Sequence, residues 1–75
     1  MNTQNLAQIL KRISIRPDSY DLRGGLPNET MCLNKNGQVW EVYYSERGRK
    51  SGLHSFHSED VACKYLLGTL VNMFY

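Results

Sequence analysis

Hydrophobic positions change period along this chain, and the changes mark out its elements. Leu6, Ile9, Leu10 and Ile13 fall at i, i+3, i+4 and i+7, one face of an amphipathic helix. Asn2, Thr3 or Asn5 is placed to cap its start. Pro17 ends it, because the residue before a proline is pushed out of helical geometry. The spacing predicts a helix near residues 4–15. Tyr20 and Leu22 then alternate with Asp21 and Arg23, the pattern of a short strand, before Gly24-Gly25 and Pro27-Asn28 mark a loop.

The next stretch alternates on both sides of Asn36-Gly37, a strong hairpin signal that predicts a type I′ turn. With a two-residue loop there, Leu33 faces Trp40, Met31 faces Val42 and Glu29 faces Tyr44. Opposite residues share a sheet face. One face then carries Met31, Leu33, Trp40, Val42 and Tyr44 and reads as core. The other carries Cys32, Asn34, Val39, Glu41 and Tyr43 and is mixed. If the faces are right, Trp40→Ala costs about 3–5 kcal/mol, as truncation of a buried aromatic does.

Ser45 to Gly52 reads as a polar, basic turn, and Leu53 to His57 as the next strand. That strand is irregular, since Leu53 and Phe56 fall on opposite faces by strict alternation. Ser58 suits an N-cap, and Glu59 and Asp60 place negative charge in a first helical turn, where the dipole favours it. The helix that follows runs toward Met73. Its polar positions are Asp60, Lys64, Gly68, Thr69 and Asn72, leaving an apolar arc far wider than one-sided packing on a sheet needs. Either the first helix covers a flank, or part of the arc meets another chain, as in a homodimer through this helix. The expected fold is α+β, a single domain over residues 1–75. It has an N-terminal helix, an antiparallel meander of three to four strands and a C-terminal helix on one face.

Composition narrows the class without naming a function. Hydrophobic residues are 41% and charged residues 21%, ordinary globular values. Apolar runs are short, which predicts no membrane span. Met1-Asn2-Thr3-Gln4-Asn5 has neither the charge nor the apolar stretch of a secretion signal, so the expected location is cytoplasmic. Nine basic residues against seven acidic give a net charge of +2, neither an acidic nucleic-acid mimic nor a strongly basic binder.

Candidate chemistry is sparse. His54, His57, Cys32 and Cys63 lack any paired metal-ligand spacing, so no metal and no cofactor is expected. Cys63 with a histidine and Asp60 makes a formal nucleophile set. A mid-helix cysteine on an apolar flank, however, is a structural thiol, and the expectation is no enzyme. Glu41 and Glu46 lie five apart on an extended run and so on opposite faces. Tyr43, beside Glu41 on the mixed face, is either an exposed interface anchor or cover for a small second cluster with Val39. Arg47, Arg49 and Lys50 form either a phosphate contact or a solvated hairpin tip.

A helix–three strands–helix order resembles the double-stranded-RNA-binding domain. That family grips phosphates with lysines at the start of its second helix. Ser58, Glu59 and Asp60 stand there instead, and two carboxylates repel the backbone. Nucleic acid is therefore the alternative rather than the main expectation. The run Trp40-Glu41-Val42-Tyr43-Tyr44-Ser45-Glu46-Arg47-Gly48 offers a second resemblance, together with Phe56, Ser58, Glu59, Ala62, Cys63, Tyr65 and Leu67. This pattern resembles small bacterial immunity proteins of polymorphic-toxin and contact-dependent growth inhibition systems. The resemblance implies a non-catalytic protein that binds a cognate toxin domain, often a nuclease, and covers its active site. The contacts expected on that basis are Glu41, Tyr43, Glu46 and Arg47.

Overall fold

A computed structural model describes residues 1–75. Helix α1 spans Thr3–Arg12, followed by a 3-10 turn at Pro17–Ser19. The strands are β1 (Tyr20–Asp21), β2 (Thr30–Asn36), β3 (Val39–Glu46) and β4 (Arg49–Phe56), and α2 spans Glu59–Phe74. The expected α+β fold is present. Its four strands form one mostly antiparallel sheet in the order β1-β2-β3-β4, with both helices part of its core.

Helix α1 starts one residue before, and stops three residues before, the range that the spacing predicts. Asn2 is the N-cap: its side chain accepts from the Asn5 amide at 2.8 Å, and the Asn5 side chain accepts in return from the Asn2 amide. At the other end, the Ile15 amide donates to the Leu10 carbonyl and the Ser14 amide to the Lys11 carbonyl. That is a Schellman closure with Ser14 in the left-handed position, at φ 62. Pro17 is therefore not what ends the helix. A left-handed serine costs about 1–2 kcal/mol relative to glycine's freedom there. Ser14→Gly is expected to raise stability by roughly 0.5–1 kcal/mol, read as a higher midpoint in urea denaturation.

The hairpin is correct in face and displaced in register. Leu33 pairs with Val42 and Met31 with Tyr44, each two positions along from the expected partner, and Asn36, expected in the loop, pairs with Val39. The loop residues are Gly37 and Gln38, and only Gly37 has positive φ, at 64. That is the pattern of a type II′ turn, which needs glycine at its first central position alone. A slip of two keeps every side chain on its face, because the strand period is two. Met31, Leu33 and Val42 accordingly reach the core with Leu6, Leu10, Ile15, Ala62, Cys63, Leu66 and Leu70. Trp40 and Tyr44 share that face but lie half-buried at its rim. The expected cost of Trp40→Ala falls to about 2 kcal/mol, since only part of the side chain leaves water.

The segment read as a basic turn is mostly strand. β3 continues to Glu46 and β4 begins at Arg49, so the loop is Arg47-Gly48, with φ 53 and 74. Two successive positive φ values make this the type I′ turn of the molecule. β4 is irregular, as alternation requires. The pairs Val42–His54 and Tyr44–Ser51 differ in register by one, so Gly52 and Leu53 together face Tyr43, with Gly52 at φ 60. This is a β-bulge with glycine in the left-handed position.

β1 runs parallel to β2, with Tyr20 beside Met31 and Asp21 beside Cys32. The sheet is thus not the simple meander expected. A parallel neighbour demands a crossover, which residues 22–29 supply: Leu22 still packs on the core, and Gly24, Gly25 and Asn28 carry the chain over the sheet face opposite the helices. Ser58 caps helix α2: its Oγ accepts from the Val61 amide at 3.3 Å. Its apolar arc is shared between the sheet and α1, so the first helix covers a flank. No helix is long and apolar enough to cross a membrane.

Candidate functional site

The four residues expected to contact a partner do not form one surface. Tyr43 is 0% exposed and Glu41 only 8%. Glu46 is half-buried on the opposite sheet face, and Arg47 is exposed at the turn. The mixed face of the hairpin is not open, because the crossover lies over it. Tyr43 Oη donates to the Gly25 carbonyl at 2.7 Å, and the Arg47 amide donates to Asn28 Oδ1 at 3.2 Å. Gly24 sits so close that a Cβ there would stand 2.5 Å from Asn34 Oδ1. Tyr43 is therefore buried beneath the crossover and is not an exposed anchor; its surroundings are a cluster of polar side chains rather than a small apolar one with Val39.

That cluster is polar. Lys50 Nζ lies 4.6 Å from the centre of the Tyr43 ring and 3.7 Å from Glu41 Oε1. Asn36 Nδ2 donates to Glu41 Oε2 at 3.4 Å, while Glu41 Oε1 is buried without a hydrogen bond. A carboxylate held this far from water is costly unless paired, and Lys50 is its one nearby cation. Burial, then the charges of Cys32, Glu41 and Asp21, push the Tyr43 phenol up from 10.0 to about 12. Burial also raises the Cys32 and Cys63 thiols, and both are free, buried cysteines. A thiol held protonated is a poor nucleophile.

The tyrosine shift sets a pH dependence. Folding favours the neutral phenol, so its contribution is complete below pH 10.0 and disappears as pH rises through the folded value of about 12. The expected loss is on the order of 2 kcal/mol over that window. Denaturation midpoints measured from pH 9 to 12 should fall more steeply in the native chain than in Tyr43→Phe.

The accessible surface lies elsewhere, along β4 and the adjoining side of α2. His54 and Phe56 of β4 meet Tyr65 of α2, with ring centres 5.0 and 5.2 Å apart. The shorter bond of His54 runs from Nδ1 to the Gly52 carbonyl, at 2.8 Å, while Tyr65 Oη stands 3.4 Å from the same nitrogen. Val61 and Tyr65 are 48% and 38% exposed. Above them, Glu46, Arg47, Arg49 and Ser51 line a shallow polar concavity at the β3–β4 tip. Alternation could not find this grouping. The bulge at Gly52 reverses which β4 residues face α2, and no local signal sets Tyr65 beside His54. No group of three or more His, Cys, Asp or Glu side chains is placed to hold a metal ion. Comparison with protein-family models, with curated proteins and with solved structures finds no match.

Proposed function

We propose that this chain is a non-catalytic immunity protein that binds a cognate bacterial toxin domain in the cytoplasm and blocks it sterically. The observation that carries this reading is the accessible aromatic surface of His54 and Tyr65, with the half-buried Phe56 between sheet and helix and Val61 exposed on the same helix. Exposed aromatic and aliphatic side chains with a charged margin are the usual make-up of a protein contact. The two segments that resemble immunity proteins also meet in space, since Trp40 pairs with Phe56 across β3 and β4. A net charge of +2 favours occlusion over imitation of a nucleic acid. Relative to the sequence-based contacts, Glu46 and Arg47 stay at the accessible tip, whereas Glu41 and Tyr43 support the fold.

The test is co-expression with the product of the adjacent gene, which the proposal expects to carry a toxin-like domain. A stoichiometric complex, loss of toxicity and at least ~10-fold weaker binding by Tyr65→Glu are expected. A neighbouring toxin-like domain that remains toxic and elutes alone defeats the proposal. Met73 and Phe74, 51% and 46% exposed, favour a second arrangement, a homodimer through α2. Sedimentation at micromolar concentration separates the two, because the homodimer doubles the mass without any partner. The nucleic-acid reading gains nothing: Glu59 accepts from the Thr3 amide and Asp60 pairs with Lys64, so both carboxylates remain at the start of α2.

A further inference from the structure

The sheet has two edges of unequal kind. β1 offers two residues, whereas β4 offers eight, all exposed except the half-buried Phe56. An edge strand presents a row of unpaired backbone N–H and C=O groups to its open side. We infer that β4 receives an extended acidic segment of a partner protein, which adds to the sheet as a fifth strand. This rests on the reading of the chain as a binding protein and specifies what its partner presents.

Charge selects the occupant. Arg47, Arg49 and Lys50 crowd one end of β4; Arg47 and Arg49 form no ion pair, and Lys50 is held by Glu41. Two acids adjoin the cluster, Glu41 on Lys50 and Glu46 opposite Arg49 in register, which leaves Arg47 and Arg49 as the cations without an ion pair. Such an edge repels a basic strand and offers an uncharged one nothing in return for stripping water from the guanidinium groups. A strand carrying carboxylates gains charge-assisted hydrogen bonds there. The other end of β4 is aromatic, through His54, Phe56 and the neighbouring Tyr65.

Arg49 and Phe56 lie about 23 Å apart along an unbroken strand, at ~3.3 Å per residue, and slightly less across the bulge. The matching segment therefore carries an apolar side chain near one end and carboxylates about six residues away. The bulge at Gly52-Leu53 interrupts the ladder, so pairing forms in two short stretches and a long featureless strand is disfavoured. Backbone pairing supplies affinity, and the side chains at the two ends supply choice.

The probe is a short blocked peptide, Trp-Thr-Val-Thr-Glu-Thr-Glu, with a control in which lysine replaces both glutamates. Added to the full chain, the acidic peptide is expected to shift and protect the amides of residues 49–56 in NMR spectra. Binding should weaken with salt, and by at least ~10-fold in the Arg47→Ala/Arg49→Ala variant. Equal binding of the lysine peptide, shifts centred away from β4, or no response at ~1 mM peptide overturns the inference. The toxin-domain complex separates the two claims. A complex that forms and is indifferent to Arg47→Ala/Arg49→Ala removes the β4 edge and leaves the immunity reading standing. Peptide binding without any toxin complex does the reverse.

Discussion

Truncating Tyr43 to alanine is expected to cost about 3–5 kcal/mol, the range for removing a fully buried aromatic side chain. A domain of this size has roughly 4–11 kcal/mol of stability in total, so the variant stands near the edge of folding. The loss has three parts, all visible in the structure. The ring is 0% exposed, its hydroxyl holds the Gly25 carbonyl at 2.7 Å, and Lys50 rests on its face at 4.6 Å. Tyr43→Phe keeps the ring and loses only the hydrogen bond, for about 1 kcal/mol. Urea denaturation of both variants separates packing from tethering. Hydrogen exchange adds a local reading: in Tyr43→Phe the amides of residues 22–29 should exchange faster, while those of β2 and β3 change little. A variant with alanine that unfolds at the native midpoint shows the crossover to be mere decoration on the sheet.

Leu33→Ala is expected to cost about 3–4 kcal/mol from the other side of the same hairpin. Leu33 is 0% exposed, sits on a central strand and belongs to the cluster that joins both helices to the sheet. Its neighbours come from several elements, so no one of them can close the gap without disturbing the rest. Leu33→Met, which keeps most of the volume, should cost less than about 1.5 kcal/mol. Equilibrium denaturation distinguishes the pair. A small effect for alanine means that the helices do not pack on this face.

What was legible in the sequence follows from how local each determinant is. The faces of the hairpin were readable because a period of two survives any even slip, so Leu33 and Val42 fall inward in either register. The register itself was not readable. Asn36-Gly37 also suits a turn that starts at the glycine, and Gly37-Gln38 is the loop that forms. The Ser58 cap with Glu59 and Asp60 was readable, since a capping side chain acts within three residues. The end of α1 was not, because nothing in the residue type announces Ser14 as left-handed.

The contact residues suffered most from this limit. Glu41 and Tyr43 were placed correctly on their face, but whether that face meets water depends on where residues 22–29 run. The crossover follows from β1 pairing parallel with β2, a two-residue contact with no signal of its own. A glycine-rich loop looks the same in sequence whether it projects into solvent or lies flat on a sheet. Gly24, pressed against Asn34, shows which occurs here.

The order of elements also has a kinetic side. β2, β3 and β4 are joined by two-residue turns, so their pairings close quickly and locally. The docking of α1 is different: the Thr3 amide reaches Glu59 across 56 positions of chain. Loop entropy delays such a contact until the hairpins have shortened the path. On the way to the native state the inner face of the sheet therefore waits for α2, and then for α1, with Met31, Leu33 and Val42 uncovered. In this interval the molecule is most open to association with its own kind. Its folding rate is expected to follow the average separation of its contacts, which the docking of the helices raises and the two-residue turns of its sheet lower.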